Sequence, residues 1–61
     1  MREEKINDVL DGCAFLEYVG NLYEYVGFAD GKHIFQCLSD DSRVSLTYQE
    51  LLTSPEIDVQ Y

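Results

Sequence analysis

Apolar side chains near the start of the chain recur at helical spacing. They occupy the i, i+3, i+4 and i+7 positions of an amphipathic helix, at Ile6, Val9, Leu10 and Cys13. The pattern stops there, because further helical steps would place Glu17 on the apolar face. Gly12 is a residue type that commonly ends helices. We therefore predict an N-terminal helix over residues 2–12.

From residue 13 onwards the pattern is typical of short strands. Aromatic and β-branched residues are frequent, and the clearest alternation places Val44, Leu46 and Tyr48 on one side of a strand. Asp30-Gly31 is the strongest hairpin signal, because this pair tolerates the positive φ angles of a type I′ turn. The predicted strands cover residues 13–19, 22–28, 32–38 and 43–48, with turns at 20–21 and 39–42.

The tetrapeptide EYVG occurs twice, at residues 17–20 and 24–27. We interpret the two copies as parts of consecutive strands joined by a tight turn, and not as a helical heptad or a repeated binding element. In the second strand, Leu22, Val26 and Phe28 are expected on one face, with Tyr23 and Tyr25 on the other. Gly27 indicates a bulge or a bend in that strand.

The last fifteen residues contain a helix-start signal and a short alternating run. Thr47 and Glu50 match the capping-box pattern, which predicts one helical or 3₁₀ turn that Ser54-Pro55 ends. The final residues, IDVQY, alternate apolar and polar side chains. This run is either a short closing strand or a frayed tail.

The predicted fold class is α+β within a single small domain, residues 1–61. An N-terminal helix at 2–12 precedes a β-rich core at 13–61, which is a small antiparallel sheet or a partly closed barrel of four to five strands. If the strands close into a barrel, the order of the elements resembles that of small SH3-like barrels. An open sheet leaves edge strands that can pair between two chains, which would support a homodimer.

The chain is strongly acidic, with a formal net charge of −8 from twelve acidic and four basic side chains. Phosphate backbones and anionic membranes repel such a surface, so we expect no direct nucleic-acid binding and no membrane binding. The charge suits solubility alone, or a protein partner with a basic surface. The first residues lack the apolar core of a secretion signal, and no run is long enough for a membrane span, which predicts a cytoplasmic location.

Side chains that carry chemistry are not found in catalytic or metal-binding patterns. His33 and Cys37 lie four positions apart in one predicted strand, about 13 Å at the usual strand rise, too far for a nucleophile and its base. Asp40 and Asp41 are adjacent and lack the spacing of a calcium loop. Cys13 and Cys37 lie in apolar segments and are expected to be buried, reduced thiols. We therefore predict no enzyme activity, no catalytic residue, no metal site and no cofactor.

Tyrosines and neighbouring acids form the candidate partner site. Tyr combines a large apolar ring with a polar tip and is enriched at protein interfaces. The predicted partner-binding residues are Glu17, Tyr18, Tyr23, Glu24 and Tyr25. The alternative is that the tyrosines pack beneath the N-terminal helix, which needs an apolar surface on which to dock.

These features predict a small acidic, non-enzymatic protein-interaction module or regulatory subunit. The alternative function is an acidic inhibitor that imitates nucleic acid with its carboxylates, as some small phage-encoded proteins do. Imitation requires the carboxylates to lie along one continuous face, whereas dispersed carboxylates favour the interaction module.

Overall fold

The computed structural model describes residues 2–61 and has the predicted α+β architecture, a helix followed by an antiparallel sheet. Neither of the two helices in this range is long and apolar enough to cross a membrane. The elements in chain order are α1 (Arg2–Leu10), β1 (Phe15–Tyr18), β2 (Asn21–Ala29), β3 (Lys32–Cys37), β4 (Arg43–Leu46), α2 (Tyr48–Thr53) and β5 (Ile57–Gln60).

The five strands form one open sheet in the order β4-β3-β2-β1-β5, and every neighbouring pair is antiparallel. The sheet does not close into a barrel, so the chain adopts the open architecture of the two that the sequence allowed. Strands β4 and β5 are its edges. The final residues form a true strand against β1, with Ile57 opposite Tyr18 and Gln60 opposite Phe15, and are not a frayed tail.

Helix α1 ends at Leu10, two residues before the predicted bound, and Gly12 forms part of its C-terminal cap. Gly12 has a φ of +83°, and the Cys13 amide donates a hydrogen bond of 2.8 Å to the Asp8 carbonyl. The Gly12 amide donates to the Val9 carbonyl at 3.1 Å, which completes a Schellman motif. The chain then turns before β1, and this turn leaves Cys13 exposed. The prediction that Cys13 is buried is therefore wrong, whereas Cys37 is buried and both thiols are free.

Two tight turns connect the first three strands. Asp30 and Gly31 have φ angles of +54° and +75°, as the hairpin prediction requires. The first hairpin differs from the prediction, because its turn residues are Val19 and Gly20, with φ angles of +49° and +78°, and not Gly20 and Asn21. Asn21 is already the first residue of β2.

A β-bulge interrupts β2 where Gly27 indicated one. Tyr25 pairs with Phe35 and Gly27 pairs with Ile34, so Val26 is an extra residue in the strand. The extra residue reverses the alternation of side chains beyond it. Phe28 consequently pairs with His33 on the same side as Tyr25, and its predicted place beside Leu22 and Val26 is wrong.

Helix α2 begins with the predicted capping box. The Thr47 hydroxyl accepts a hydrogen bond from the Glu50 amide at 3.1 Å, and the Glu50 carboxylate accepts one from the Thr47 amide at 3.0 Å. The Arg2 side chain holds the other end of the helix, donating to the carbonyls of Leu51 at 2.9 Å and Ser54 at 2.6 Å. These bonds join the beginning of α1 to the end of α2.

The hydrophobic core lies between the sheet and the two helices. Helix α1 packs over β1, β2 and β5 and against α2. Ile6, Val9, Leu16, Phe35 and Leu51 are fully buried. The buried residues together form one cluster: Ile6, Val9, Ala14, Leu16, Tyr23, Phe35, Cys37, Leu46, Leu51 and Ile57. The helices thus cover one side of the sheet, which we call the helix side.

Candidate partner-binding surface

Both helices described within residues 2–61 lie on the helix side, and we call the opposite side of the sheet the outer face. Five apolar side chains lie on the outer face, and we call them the apolar group: Phe15, Leu22, Val26, Ile34 and Leu38. Three carboxylates also lie on it, and we call them the acidic group: Glu17, Glu24 and Asp58. The assignment follows from the register, because side chains directly opposite each other on paired strands share a face. Val26 has no partner in the register and is placed on the outer face because it follows Tyr25, which lies on the helix side.

Four of the five side chains in the apolar group are exposed to solvent. Phe15 is 39% exposed, Leu22 38%, Val26 42% and Leu38 47%, while Ile34 is half-buried. Leu22 and Leu38 are neighbours across β2 and the end of β3, since the Leu38 amide donates to the Leu22 carbonyl at 2.9 Å. Glu24 lies between Leu22 and Val26 along β2, and its partner Gln36 lies between Ile34 and Leu38 along β3. The exposed apolar side chains therefore alternate with polar ones, a mixture that protein interfaces commonly have.

Two of the three carboxylates of the acidic group lie on β1 and β5. Glu17 lies directly opposite Asp58 across these strands, and like charges in that position destabilise a sheet. The side-chain amide of Gln60 donates to the Glu17 carboxylate at 2.9 Å. This bond orients the carboxylate but leaves its negative charge in place. A positive group on a partner would relieve the repulsion. On the edge strand β4, Arg43 donates to the Gln36 side chain at 3.0 Å.

The five residues predicted to bind a partner do not form one surface. Tyr23 is 6% exposed and lies in the core, with the half-buried rings of Tyr18 and Tyr25 on the same helix side. The ring centroids of Tyr18 and Tyr23 are 6.2 Å apart. Glu17 and Glu24 point to the outer face. Of the predicted set, these two acids remain candidates for partner contact, and binding by any of the five stays a prediction.

The environment of His33 was not predicted from the sequence. His33 stands among aromatic rings, 4.8 Å from Phe28, 5.5 Å from Tyr25 and 6.1 Å from Tyr48 between centroids. Its Nδ1 is 3.2 Å from the Tyr25 hydroxyl. Burial lowers the pKa of the imidazole from its usual value of 6.5. Only the register past the bulge brings Phe28 to this cluster. Gly27 indicated a bulge or a bend, but not the reversal of side-chain faces beyond it.

Residues 2–61 contain no enclosed pocket and no group of three side chains arranged to hold a metal ion. Comparisons with models of known protein families, with curated proteins and with solved structures give no significant match.

Proposed function

We propose that the protein is a non-enzymatic protein-interaction module of the cytoplasm, acting as an adaptor or regulatory subunit, that binds a basic partner through its outer face. The observation that carries the proposal is that the exposed apolar group and the acidic group lie together on the outer face of the sheet. Apolar side chains supply contact area, and the carboxylates select the sign of the partner's charge.

A basic partner suits this face better than a second copy of the chain. Two outer faces packed together would bring two acidic groups into one interface, and like charges across an interface cost several kcal/mol. A partner with lysine or arginine around an apolar centre would instead neutralise the facing Glu17 and Asp58 carboxylates.

The distribution of the remaining acids also supports an interaction module over imitation of nucleic acid. Glu3 and Glu4 are exposed on α1, on the side of the molecule opposite the acidic group. Asp30 lies in the β2–β3 turn, and Asp40 and Asp41 lie between β3 and β4. Imitation would require these carboxylates to follow one face, as phosphates follow a groove.

The test is affinity capture from lysate of the source organism with four forms of the protein. The wild type is compared with Leu22→Ser, which removes apolar area from the outer face, and with Glu24→Gln, which removes a charge from it. The control is Phe28→Ser, because Phe28 is 59% exposed but lies on the helix side. Circular dichroism first confirms that all four are folded.

The proposal predicts a protein that the wild type and Phe28→Ser retain and that both outer-face variants lose. Retention should also fall in high salt, because salt screens exposed charges. Equal retention by all four forms, selective loss with Phe28→Ser, or no retained protein would overturn the proposal. If the retained protein binds DNA and added DNA displaces it from the wild type, nucleic-acid imitation replaces the interaction module.

A further inference from the structure

The two edges of the sheet differ in whether their outward-facing backbone groups are already bonded. Antiparallel pairing alternates residues that bond to the neighbouring strand with residues whose amide and carbonyl point away from it. Tyr18 and Asn21 close a two-residue hairpin and so bond to each other. Because the backbone groups of Tyr18 point towards β2, its partner on β5, Ile57, does not bond to β1. By the same alternation, the backbone groups of Ile57 and Val59 point outwards from the sheet.

The outward amides of β5 are both occupied within the chain. The Val59 amide donates to the Asp58 carboxylate at 2.8 Å, and the Ile57 amide donates to the Ser54 carbonyl at 3.4 Å. This edge therefore offers few free donors to another strand.

The edge at β4 differs, because its outward-facing backbone amides are not bonded within the part of the chain that the structure describes. The Cys37 amide donates to the Ser42 carbonyl at 2.7 Å, so alternation points the backbone groups of Arg43 and Ser45 away from β3. Within residues 2–61 neither of these two amides donates to a turn or loop carbonyl, and the alternation directs both away from the only neighbouring strand, β3. Arg43 and Ser45 are exposed, and Val44 between them is half-buried on the helix side, where it faces Phe35.

We infer that β4 is a self-association edge, at which two copies of this chain pair antiparallel about a two-fold axis at Val44. In this register Arg43 of each copy faces Ser45 of the other and exchanges both backbone hydrogen bonds with it, while the two Val44 side chains meet. The inference is independent of the proposed function, since β4 lies at the sheet edge farthest from β5 and its Asp58.

Charge and hydrogen bonding select this register among its neighbours. A shift of one residue in each copy towards the N-terminus would place Arg43 opposite Arg43. The opposite shift would place Arg43 opposite Thr47, whose amide already donates to the Glu50 carboxylate at 3.0 Å. A foreign basic strand is disfavoured here because Arg43 would repel it, whereas the register about Val44 opposes no like charges.

The experiment is sedimentation equilibrium of the full chain from about 10 μM to about 1 mM, a range suited to a small interface. Runs at about 0.05 M and about 0.5 M NaCl compare weak with strong screening of the net charge. The mass should rise from 7.0 kDa towards twice that value with concentration, and more so at high salt. Salt should have the opposite effect on a complex with a basic partner.

Ser45→Pro tests the edge directly, because it removes an outward amide and leaves the ladder to β3 intact. It should abolish the rise in mass, while Ser45→Ala should behave as wild type. A chain that stays monomeric at about 1 mM and high salt, or a Ser45→Pro variant that still pairs, would overturn the inference.

Amide hydrogen exchange of the wild type gives a readout that does not depend on the proline variant folding. Where half of the chains are paired, exchange at the Arg43 and Ser45 amides should slow about twofold, because only the unpaired half remains open. The Val59 amide on the other edge should be unaffected by concentration. Slowing at Val59 with none at Arg43 and Ser45 would place the contact at β5 and overturn the inference.

Discussion

Val19 is a β-branched residue in a backbone conformation that such residues rarely adopt. Its φ of +49° lies in the left-handed region, which costs a non-glycine residue of order 1 kcal/mol or more. The side chain is 68% exposed, so little packing offsets this cost. We expect Val19→Asn to raise the free energy of unfolding by about 1 kcal/mol, since Asn-Gly is a preferred type I′ turn. Thermal unfolding should show a midpoint several degrees higher.

The second EYVG copy provides the matched control for this substitution. Val26 is also exposed and also precedes glycine, but its φ is not positive. Val26→Asn should therefore leave the midpoint unchanged or lower it. Equal effects of the two substitutions would show that the conformation of Val19 is not the cause.

His33 makes the stability of the fold depend on pH in the range where imidazole titrates. Burial lowers its folded pKa below 6.5, so the unfolded chain binds the proton more readily. The stabilisation is complete above pH 6.5 and is lost as pH falls from 6.5 through the folded pKa.

Urea unfolding between pH 7.5 and pH 5.5 would measure the effect, with His33→Phe as the reference that keeps a ring in the cluster. The free energy of unfolding of the wild type should fall more steeply than that of the variant across this range. NMR titration of the His33 ring should give a midpoint below 6.5. A midpoint above 6.5 would reverse the sign of the prediction.

Helix α2 has only six residues and depends on its first turn. Thr47→Ala would remove the hydroxyl that accepts from the Glu50 amide, at a cost of about 1 kcal/mol. Fraying would also expose Leu51, which is fully buried. We expect a lower urea midpoint for Thr47→Ala and a change within about 0.5 kcal/mol for Gln49→Ala, an exposed position in the same helix. A Thr47→Ala midpoint equal to that of Gln49→Ala would show that the capping box contributes nothing measurable.

The elements that could be predicted from the sequence are those that local chemistry determines. The Asp30-Gly31 turn and the Thr47–Glu50 capping box each need particular residue types, and both occur where predicted. The first turn was predicted one residue too late, at Gly20 and Asn21. Valine favours strands and asparagine favours turns, so local preference pointed to Asn21 and away from Val19. The register of the β1–β2 hairpin prevails there over the preference of a single residue.

The candidate site was harder to predict because both faces of β1 and β2 contain large apolar residues. Tyr23 and Tyr25 line one face and Leu22 and Phe15 the other, so alternation alone does not tell which face α1 covers. Packing of Ile6 and Val9 decides in favour of the tyrosine side. The sequence named the acids Glu17 and Glu24 as candidates, and their role in binding stays a prediction, whereas it did not name their apolar neighbours on the outer face.

At the scale of the whole molecule, 61 residues provide two helices for one side of a five-stranded sheet. A chain of this size buries a smaller share of its surface than a larger domain does. The outer face is left partly apolar for this reason, and the β4 edge is left unpaired. The proposed partner and the inferred second copy would each cover a surface that the chain is too short to cover.

The net charge of −8 predicts that added salt stabilises the fold. At about 0.01 M salt the Debye length is about 30 Å. The longest dimension of the molecule is 29 Å, so at that salt concentration exposed carboxylates across the whole molecule repel one another. Raising NaCl to about 0.1 M shortens the Debye length to about 10 Å and should raise the thermal midpoint, measured at about 10 μM chain so that association does not contribute.

The Glu24→Gln/Glu56→Gln variant has two fewer charges at exposed positions and should show a higher midpoint at low salt and a shallower rise with salt. A midpoint that does not move with salt, or a variant whose rise equals that of the wild type, would show that repulsion among the carboxylates does not limit the stability of this fold.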